Sequence, residues 1–300
     1  MRWRLIKLFL AGLFLLAWYF ASWPIGLAAK PDLGLKLLID YHVAEVPIIR
    51  RSTTPLLGAV NYIVTDDATG EILIAKNEDE RIYPASTTKL ATALTALNIY
   101  PLDEVITVGQ KYNEGKTMGL QIGEKLTVKS LVSGLLIFSA NDAAMAIAEH
   151  HQDGLAGFIG QMNVHNKNYL LKSTNFTNVD GIHSPNHYSS VADLAQLARA
   201  AVRNQLVLET VKKQEETLTD VSGKIIHRVA TTNELLGEVG EIEGLKTGWT
   251  PEAGGCFIGL INLGGHYLIS VVAQSPDRFA DTVKLVDWAR ANVSWPERIR

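Results

Sequence analysis

The sequence is poor in cysteine and carries almost no net charge. Cys256 is the single cysteine among 300 residues, so the chain can form neither an intrachain disulfide nor a cysteine-based metal cluster. The 28 Lys and Arg residues nearly balance the 31 Asp and Glu residues, which argues against a basic surface that binds nucleic acid. No repeat of solenoid or propeller length occurs. With 47% hydrophobic residues, the composition is that of an ordinary globular protein with a large core.

Sequence motifs typical of metal-binding and cofactor-binding sites are missing as well. His183 and His187 lie four positions apart, but Pro185 between them disfavours the shared helical face that a metal pair needs. No glycine-rich phosphate loop stands between a predicted strand and a predicted helix. We therefore expect no metal and no cofactor, a loop-shaping role for both histidines, and a buried strand thiol at Cys256.

The longest apolar run lies near the N-terminus. Arg2, Arg4 and Lys7 precede residues 8–29, which contain no charged side chain. A run of this length can cross a membrane as one helix, and the cations before it keep the N-terminus in the cytoplasm. The alternative is a cleaved signal peptide that ends at the two alanines 28–29. Both interpretations place the rest of the chain outside the cytoplasm, anchored by a single span in the first case and secreted in the second.

The chain divides into three predicted parts: a signal-anchor or transmembrane segment at 1–30, a connector at 31–55 and a single catalytic domain at 56–300. In that domain, predicted strands lie at both ends and predicted helices in the middle. The strands are 57–65, 71–76, 215–220, 224–230, 242–248, 256–262 and 266–273, and the helices are 86–99, 127–137, 142–150, 155–171, 190–203 and 277–293. Short connections favour antiparallel pairing, with the first and last strands together. The expected fold class is α/β (α+β), an antiparallel sheet flanked by helices with a helical subregion.

Ser86 and Lys89 are the first candidates for chemistry. They lie one turn apart at the start of the predicted helix 86–99, so the amine can reach the hydroxyl. A serine hydroxyl is a poor nucleophile until a base takes its proton, and a lysine is a base only when burial or a second cation lowers its pKa. Lys246 is the candidate second cation. The alternative is a helix-capping serine beside a solvated lysine, which the apolar character of this helix disfavours.

Two further motifs follow along the chain. Ser139 and Asn141 occupy a short loop between helices, where a hydroxyl can relay a proton and an amide can hold a substrate amide. Alternatively, this loop only caps the next helix. The sequence K-T-G at 246–248 ends a strand, where glycine permits close approach of a ligand and the residues before it can bind a carboxylate. Alternatively, this sequence only ends a strand and begins a turn, without binding a ligand.

Taken in order, S-x-x-K, S-x-N and K-T-G form the signature of penicillin-binding proteins and serine β-lactamases. Their surroundings resemble the low-molecular-mass D-alanyl-D-alanine carboxypeptidases. The segments that carry this resemblance are YPASTTKL at 83–90, LLIFSANDAA at 135–144, NHYSSVADLA at 186–195, GLKTGWT at 244–250 and AGGC at 253–256. The resemblance runs from about residue 60 to about residue 288 and implies the β-lactamase/transpeptidase-like fold.

The resemblance also implies the activity and the catalytic residues. The enzyme would be a serine-type D-Ala-D-Ala carboxypeptidase that trims peptidoglycan stem peptides ending in D-Ala-D-Ala and binds β-lactams as inhibitors. Ser86 would attack the peptide carbonyl, Lys89 would take its proton and Ser139 would pass a proton to the leaving D-alanine. The backbone N–H groups of Ser86 and Trp249 would form the oxyanion hole.

The substrate-binding residues follow from the same motif positions. Lys246 and Thr247 would hold the terminal carboxylate, Asn141 the substrate amide, and Gly248 and Trp249 would border the subsite. Trp249 departs from the family pattern, where a smaller or more polar residue is common, so the shape of its subsite is open. Many members carry a C-terminal β-rich domain and an amphipathic anchor, which the sequence up to residue 300 does not show. We expect the N-terminal segment to anchor the domain to the bacterial cell membrane.

Three other functions compete with the carboxypeptidase. A D,D-endopeptidase that cuts cross-links shares all three motifs. A β-lactamase needs a deacylating carboxylate, but Glu209, Glu215 and Glu216 stand in helix-like or strand-like sequence. A non-catalytic cell-wall-binding protein is disfavoured by the intact Ser86 and Lys89.

Overall fold

The computed structural model describes residues 45–50 and 54–296. The predicted membrane segment at 1–30 lies outside these residues, and within them no helix combines the length and apolar character needed to cross a membrane. The strands are β1 Ile48–Ile49, β2 Asn61–Asp66, β3 Ile72–Lys76, β4 Val105–Thr107, β5 Lys125–Thr127, β6 Glu215–Thr219, β7 Ile226–Ala230, β8 Ile242–Thr250, β9 Gly254–Leu263, β10 His266–Ser275 and β11 Val293–Ser294. The helices are α1 Lys89–Ile99, α2 Val128–Ser133, α3 Asn141–Glu149, α4 Gly154–Asn168, α5 Val191–Val202, α6 Gln205–Val211 and α7 Arg278–Asn292.

A five-stranded antiparallel sheet in the order β3-β2-β10-β9-β8 forms the centre of the domain. Strand β2 pairs with β10 over six residue pairs, which confirms that the first and last predicted strands, 57–65 and 266–273, meet in space. Tight turns account for the hairpins. In the β2–β3 turn, Asp66 accepts a hydrogen bond from the backbone of Thr69, and Gly70 takes a φ of +79°. The mixed fold with an antiparallel sheet flanked by helices is thereby confirmed.

Both faces of this sheet are buried, as the alternation along β9 illustrates. Phe257 and Ile261 pack into the core beneath α7, whereas Ile258 and Leu260 pack into the larger core beneath the helical subregion. The alternation follows from the two-residue period of a strand. Each such side chain contributes about 1.5–3 kcal/mol through burial. The sheet therefore packs against helices on both of its faces and supports the elements that carry the site.

Helix α1 is the central helix of the subregion and is buried along almost its whole length. Every residue from 89 to 96 is buried, including the polar Thr92, whose hydroxyl donates to the carbonyl of Val179 at 2.6 Å. The predicted helix 86–99 thus exists, but it opens with a tighter 3-10 turn at Ala85–Thr88. Because α1 is enclosed at this end, the side chain of Lys89 at its start is fully buried.

Several elements differ from the sequence-based prediction. The hairpin β6–β7 exists but forms its own two-stranded sheet, as do β4–β5 and β1–β11, which the patterns did not reveal. Strand β1 lies within the predicted connector 31–55. The predicted helix 127–137 changes at Ser133 into a wider π turn at Gly134–Phe138, which ends where Ser139 adopts a left-handed φ of 65°. Such turns often occur at functional sites, and this one sets the direction of the Ser139 loop.

Candidate active site

Ser86 sits on the 3-10 turn before α1, and close packing fixes its backbone. Ala85 adopts a left-handed φ of 48°, a conformation that costs a residue with a side chain about 1–3 kcal/mol. Gly181 lies so close that a Cβ atom there would stand 1.8 Å from the carbonyl oxygen of Ala85. The hydroxyl of Thr87 donates to the carbonyl of Pro84 at 2.6 Å. These contacts hold the turn in one conformation.

Lys89 points its amine at the hydroxyl of Ser86. The Nζ–Oγ distance is 2.9 Å, and the same Nζ donates to the backbone carbonyl of Asp180 at 2.6 Å. Burial lowers the pKa of Lys89 from 10.5 to about 8, and the nearby carboxylate of Asp180 opposes this shift. Burial, rather than a second cation, is therefore the main cause of the lowered pKa. The arrangement gives the serine an adjacent amine that can be uncharged near neutral pH.

Ser139 and Asn141 form one side of a cleft whose floor contains Ser86. The backbone N–H of Asn141 donates to the carbonyl of Lys116 at 2.7 Å, and its Nδ2 donates to the carbonyl of Glu114 at 2.9 Å. No side chain caps the following helix, which begins at Asn141. The structure thus does not show the capping role that was the alternative for this loop, and both residues line the cleft, Asn141 with its Nδ2 already bonded to Glu114.

Strand β8 borders the same cleft. Gly248 approaches the serine turn so closely that a Cβ atom there would stand 2.9 Å from the backbone N of Ser86. Thr247 lines the cleft beside it, and its hydroxyl contacts the hydroxyl of Thr232 at 2.6 Å. Trp249 is 59% exposed at the rim. Glycine at 248 thus allows the strand edge and the serine turn to face each other across a narrow gap.

Lys246 belongs to the same strand, β8, but its side chain does not line the cleft. Its side chain is buried, and its Nζ donates to the carbonyl of Thr247 at 3.1 Å. Burial lowers the pKa of Lys246 well below 10.5, and the positive charges of Lys89, Lys116 and Arg278 lower it further. All three sequence motifs therefore meet at one place, where the buried amines of Lys89 and Lys246 lie near the hydroxyls that line the cleft.

The structure adds residues that the motifs did not indicate. Lys116, Asp180, Thr232 and Arg278 line the cleft, and Tyr112 contacts Asp180. Apart from the turn signal of V-D-G at 179–181, nothing in the sequence marks them, because they come from three separate loops and one helix start.

Asp180 connects the cleft wall to the base. Its carbonyl accepts from Lys89, while its carboxylate accepts from the hydroxyl of Tyr112 at 2.7 Å and from the backbone N–H of Ile182 at 3.2 Å. Burial and the carboxylate of Asp180 raise the pKa of Tyr112, so its hydroxyl stays protonated and donates. Asp180 is thus oriented from two sides.

The two predicted loop histidines pack against the elements that carry Ser86. His187 is buried, accepts the backbone N–H of Thr177 at Nδ1 and contacts the hydroxyl of Thr88 through Nε2 at 2.8 Å. Burial lowers the pKa of His187 to about 4, so it is neutral at physiological pH. His183 packs edge-on against Tyr83. Cys256 is a fully buried strand thiol, as predicted.

Comparison with known proteins places the chain in a family. The family model of D-alanyl-D-alanine carboxypeptidases matches residues 50–277. A D-alanyl-D-alanine carboxypeptidase of a Streptomyces strain is 32% identical, and the match covers 80% of this chain and 89% of that protein. The crystal structure of the Streptomyces strain K15 DD-transpeptidase superposes with a TM-score of 0.75 at 32% identity, covering 80% of this chain and 100% of that one. The chain belongs to the D-alanyl-D-alanine carboxypeptidase family.

Other relatives are longer than this chain. The carboxypeptidase DacA of Haemophilus influenzae is 33% identical, and the match covers 80% of this chain but 64% of that protein. DacF of Bacillus subtilis is 32% identical, with 77% and 62% covered. The chain thus spans a little under two thirds of these two relatives.

Proposed function

We propose that this chain is a serine-type D-Ala-D-Ala carboxypeptidase that removes the terminal D-alanine from peptidoglycan stem peptides. The observation that carries the proposal is the contact of 2.9 Å between the Ser86 hydroxyl and the amine of Lys89, whose pKa burial lowers to about 8. A hydroxyl paired with an amine that can be uncharged is a nucleophile with its general base. Membership of the carboxypeptidase family supplies the substrate class.

In the first half-reaction, uncharged Lys89 takes the proton of Ser86 as its Oγ bonds to the carbonyl carbon between the two D-alanines. The backbone N–H groups of Ser86 and Trp249 receive the developing oxyanion, for which one donor contributes about 3–4 kcal/mol. Ser139 gives its proton to the leaving nitrogen and takes the proton held by Lys89 as the C–N bond breaks and free D-alanine departs, so Lys89 is again uncharged. In the second half-reaction, water gives a proton to Lys89 as its oxygen bonds to the ester carbon. The C–O bond to Ser86 then breaks, and Lys89 returns that proton to the serine.

The substrate carboxylate requires positive charge at the β8 side of the cleft. Arg278 lines the cleft and supplies it, the hydroxyl of Thr247 offers a hydrogen bond beside it, and Lys246 is assigned to the carboxylate by its place in the third motif. The Asn141 amide holds the substrate amide on the acyl side. A side chain at position 248 would collide with the serine turn. Glycine there keeps strand β8 close to Ser86, so that a peptide bound along the strand lies within reach of the serine.

The β-lactamase alternative finds little support at this site. Glu215 and Glu216 border a separate depression beside the hairpin β6–β7. Among the described residues that line the catalytic cleft, Asp180 is the one carboxylate, and both its oxygens already accept hydrogen bonds. A hydrolytic water would have no free carboxylate to activate it, so a penicillin ester should persist.

The proposed location is the outer face of a bacterial cell membrane. The apolar residues 8–29 and the cations before them support a single N-terminal span with the catalytic domain outside, or an exported domain if the segment is cleaved. A peptidoglycan substrate requires either arrangement.

The decisive experiment compares two substrates with the same enzyme preparation. We expect D-alanine release from a pentapeptide ending in D-Ala-D-Ala, its loss in Ser86→Ala, and its retention in the control Ser222→Ala, a serine on the exposed turn of the β6–β7 hairpin. Cleavage of cross-linked dimers without D-alanine release from the pentapeptide would replace the proposal with the endopeptidase. Transfer of the acyl group to an added amine instead of water would make the chain a transpeptidase.

A further inference from the structure

The mouth of the cleft carries two cations that no carboxylate neutralises. Lys116 and Arg278 both line it, and within residues 45–50 and 54–296 neither forms an ion pair. Asp180, the carboxylate that lines the same cleft, forms no ion pair with either of them and instead accepts hydrogen bonds from Tyr112 and from the backbone of Ile182. An unneutralised cation at the edge of a peptide-binding cleft attracts anionic groups of the ligand. Two such cations indicate two anionic groups.

The two cations belong to different sides of the cleft. Arg278 begins α7 and packs near Gly255, the residue that pairs with Trp249 across β8 and β9. Lys116 belongs to the segment that is hydrogen-bonded to Asn141 through the backbone. Since the terminal carboxylate is assigned to the β8 side, Arg278 already has a proposed partner. The proposed function places the Asn141 amide on the acyl side of the substrate, so Lys116, which is bonded to Asn141, would face the residue that precedes D-Ala-D-Ala.

Lys116 is held in place although its side chain is exposed. Its backbone carbonyl accepts from the N–H of Asn141 at 2.7 Å, and its Nζ lies 4.0 Å from the centre of the Phe138 ring. A Cβ atom at Gly115 would stand 2.4 Å from Nδ2 of Asn141, so glycine there lets the segment pack directly on the second motif. A cation over an aromatic face is restrained in position at small cost. Partial burial also lowers the pKa of Lys116, a sign that its ammonium lacks part of its hydration.

We propose that Lys116 forms a second carboxylate subsite, which selects stem peptides whose side chain just before D-Ala-D-Ala ends in a free carboxylate. The inference rests on the proposed carboxypeptidase function and deepens it by naming the substrate class. A partly dehydrated ammonium gains more from a carboxylate than from a neutral amide, because a charge-assisted hydrogen bond is about twice as strong as a neutral one. The lysine is a specificity residue and takes no part in the bond-making steps.

The test uses two peptides that differ only in one group. Both end in diaminopimelyl-D-Ala-D-Ala, and the side-chain carboxyl of the diaminopimelyl residue is free in one and amidated in the other. The measured quantity is the ratio of kcat/KM for the free acid to kcat/KM for the amide. We expect the wild type to prefer the free acid by about tenfold, the size of one partly exposed charged contact. The preference should vanish in Lys116→Met and survive in Lys111→Met, an exposed lysine of the same segment that does not line the cleft.

Two further measurements keep the outcomes distinct. The preference should shrink at about 1 M salt, where the screening length is ~3 Å, and Lys116→Arg should retain it. Acylation by carbenicillin and benzylpenicillin, which differ by one side-chain carboxylate, should show the same preference without any need for peptide turnover. Equal ratios in wild type and Lys116→Met, in both assays, overturn the subsite alone. If neither peptide is hydrolysed and neither penicillin reacts, the proposed function fails and the subsite fails with it.

Discussion

The rate at which Ser86 is acylated should follow the uncharged fraction of Lys89 as pH changes. Burial lowers the pKa of this amine from 10.5 to about 8, a penalty on the charged form of about 3 kcal/mol. At pH 7 a group with that pKa is about one-tenth uncharged, whereas an ordinary lysine is only about 0.03% uncharged, so burial supplies roughly 300-fold more base. Because the uncharged form is the active one, the rate rises with pH, by about tenfold per unit below pH 7, and levels off above pH 8.

The assay is the second-order rate constant for covalent labelling by a fluorescent penicillin between pH 5.5 and 9.5, with circular dichroism to confirm that the protein stays folded. The variant Lys89→Arg keeps the positive charge and cannot lose its proton in this range, so it should show no rising limb. Lys125→Met, at an exposed lysine on β5, should keep the wild-type profile. A rate that still rises tenfold per pH unit up to pH 9.5, or a profile that is flat from pH 6 to 9, would refute the reasoning that burial prepares the base.

Three further substitutions test contacts around the site. Tyr112→Phe removes the hydroxyl that donates to Asp180, and we expect a loss of about 1 kcal/mol in the free energy of unfolding and slower labelling; an unchanged rate would show that this contact does not position the site. Gly181→Ala places a Cβ atom 1.8 Å from the serine turn at a φ of +85°, so labelling should be lost, and normal labelling would contradict the packing described here. Asp142→Ala leaves four backbone N–H groups without their acceptor and should lower the urea midpoint by the equivalent of about 3 kcal/mol or more; a change below 1 kcal/mol would contradict it.

The sequence predicted the central elements of the fold because their signals are local. The short apolar runs of β8, β9 and β10 and the turns between them identify three hairpin-linked strands, and Ser190 caps α5 through the backbone of Asp193 as its position suggests. Strands of two or three residues, such as β1 and β4, carry too few positions for a periodic pattern. The interruption of the predicted helix 127–137 was also hidden, because no proline marks the π turn and tertiary packing determines it.

In the candidate site, too, residues that are close in sequence could be predicted, and residues from separate loops could not. Ser86 and Lys89 were identified because helix geometry alone places them together. Asp180 and Tyr112 come from separate loops, 68 residues apart, and only the folded chain brings their side chains into contact. The structure was also needed to judge the role predicted for Lys246. Its charge was expected to lower the pKa of Lys89, yet the enclosure of α1 already accounts for most of that shift. The apolar helix predicted that Lys89 is buried, but only the structure shows that burial lowers its pKa more than a second cation does.

The most direct test of the central claim is mass spectrometry of the protein after brief exposure to benzylpenicillin. The account predicts that the intact mass increases by one penicillin and that peptide mapping locates the adduct on Ser86. It also predicts no adduct in Ser86→Ala and strongly slowed formation in Lys89→Arg. An adduct on Ser139 or elsewhere, or undiminished labelling of Ser86→Ala, would contradict the account.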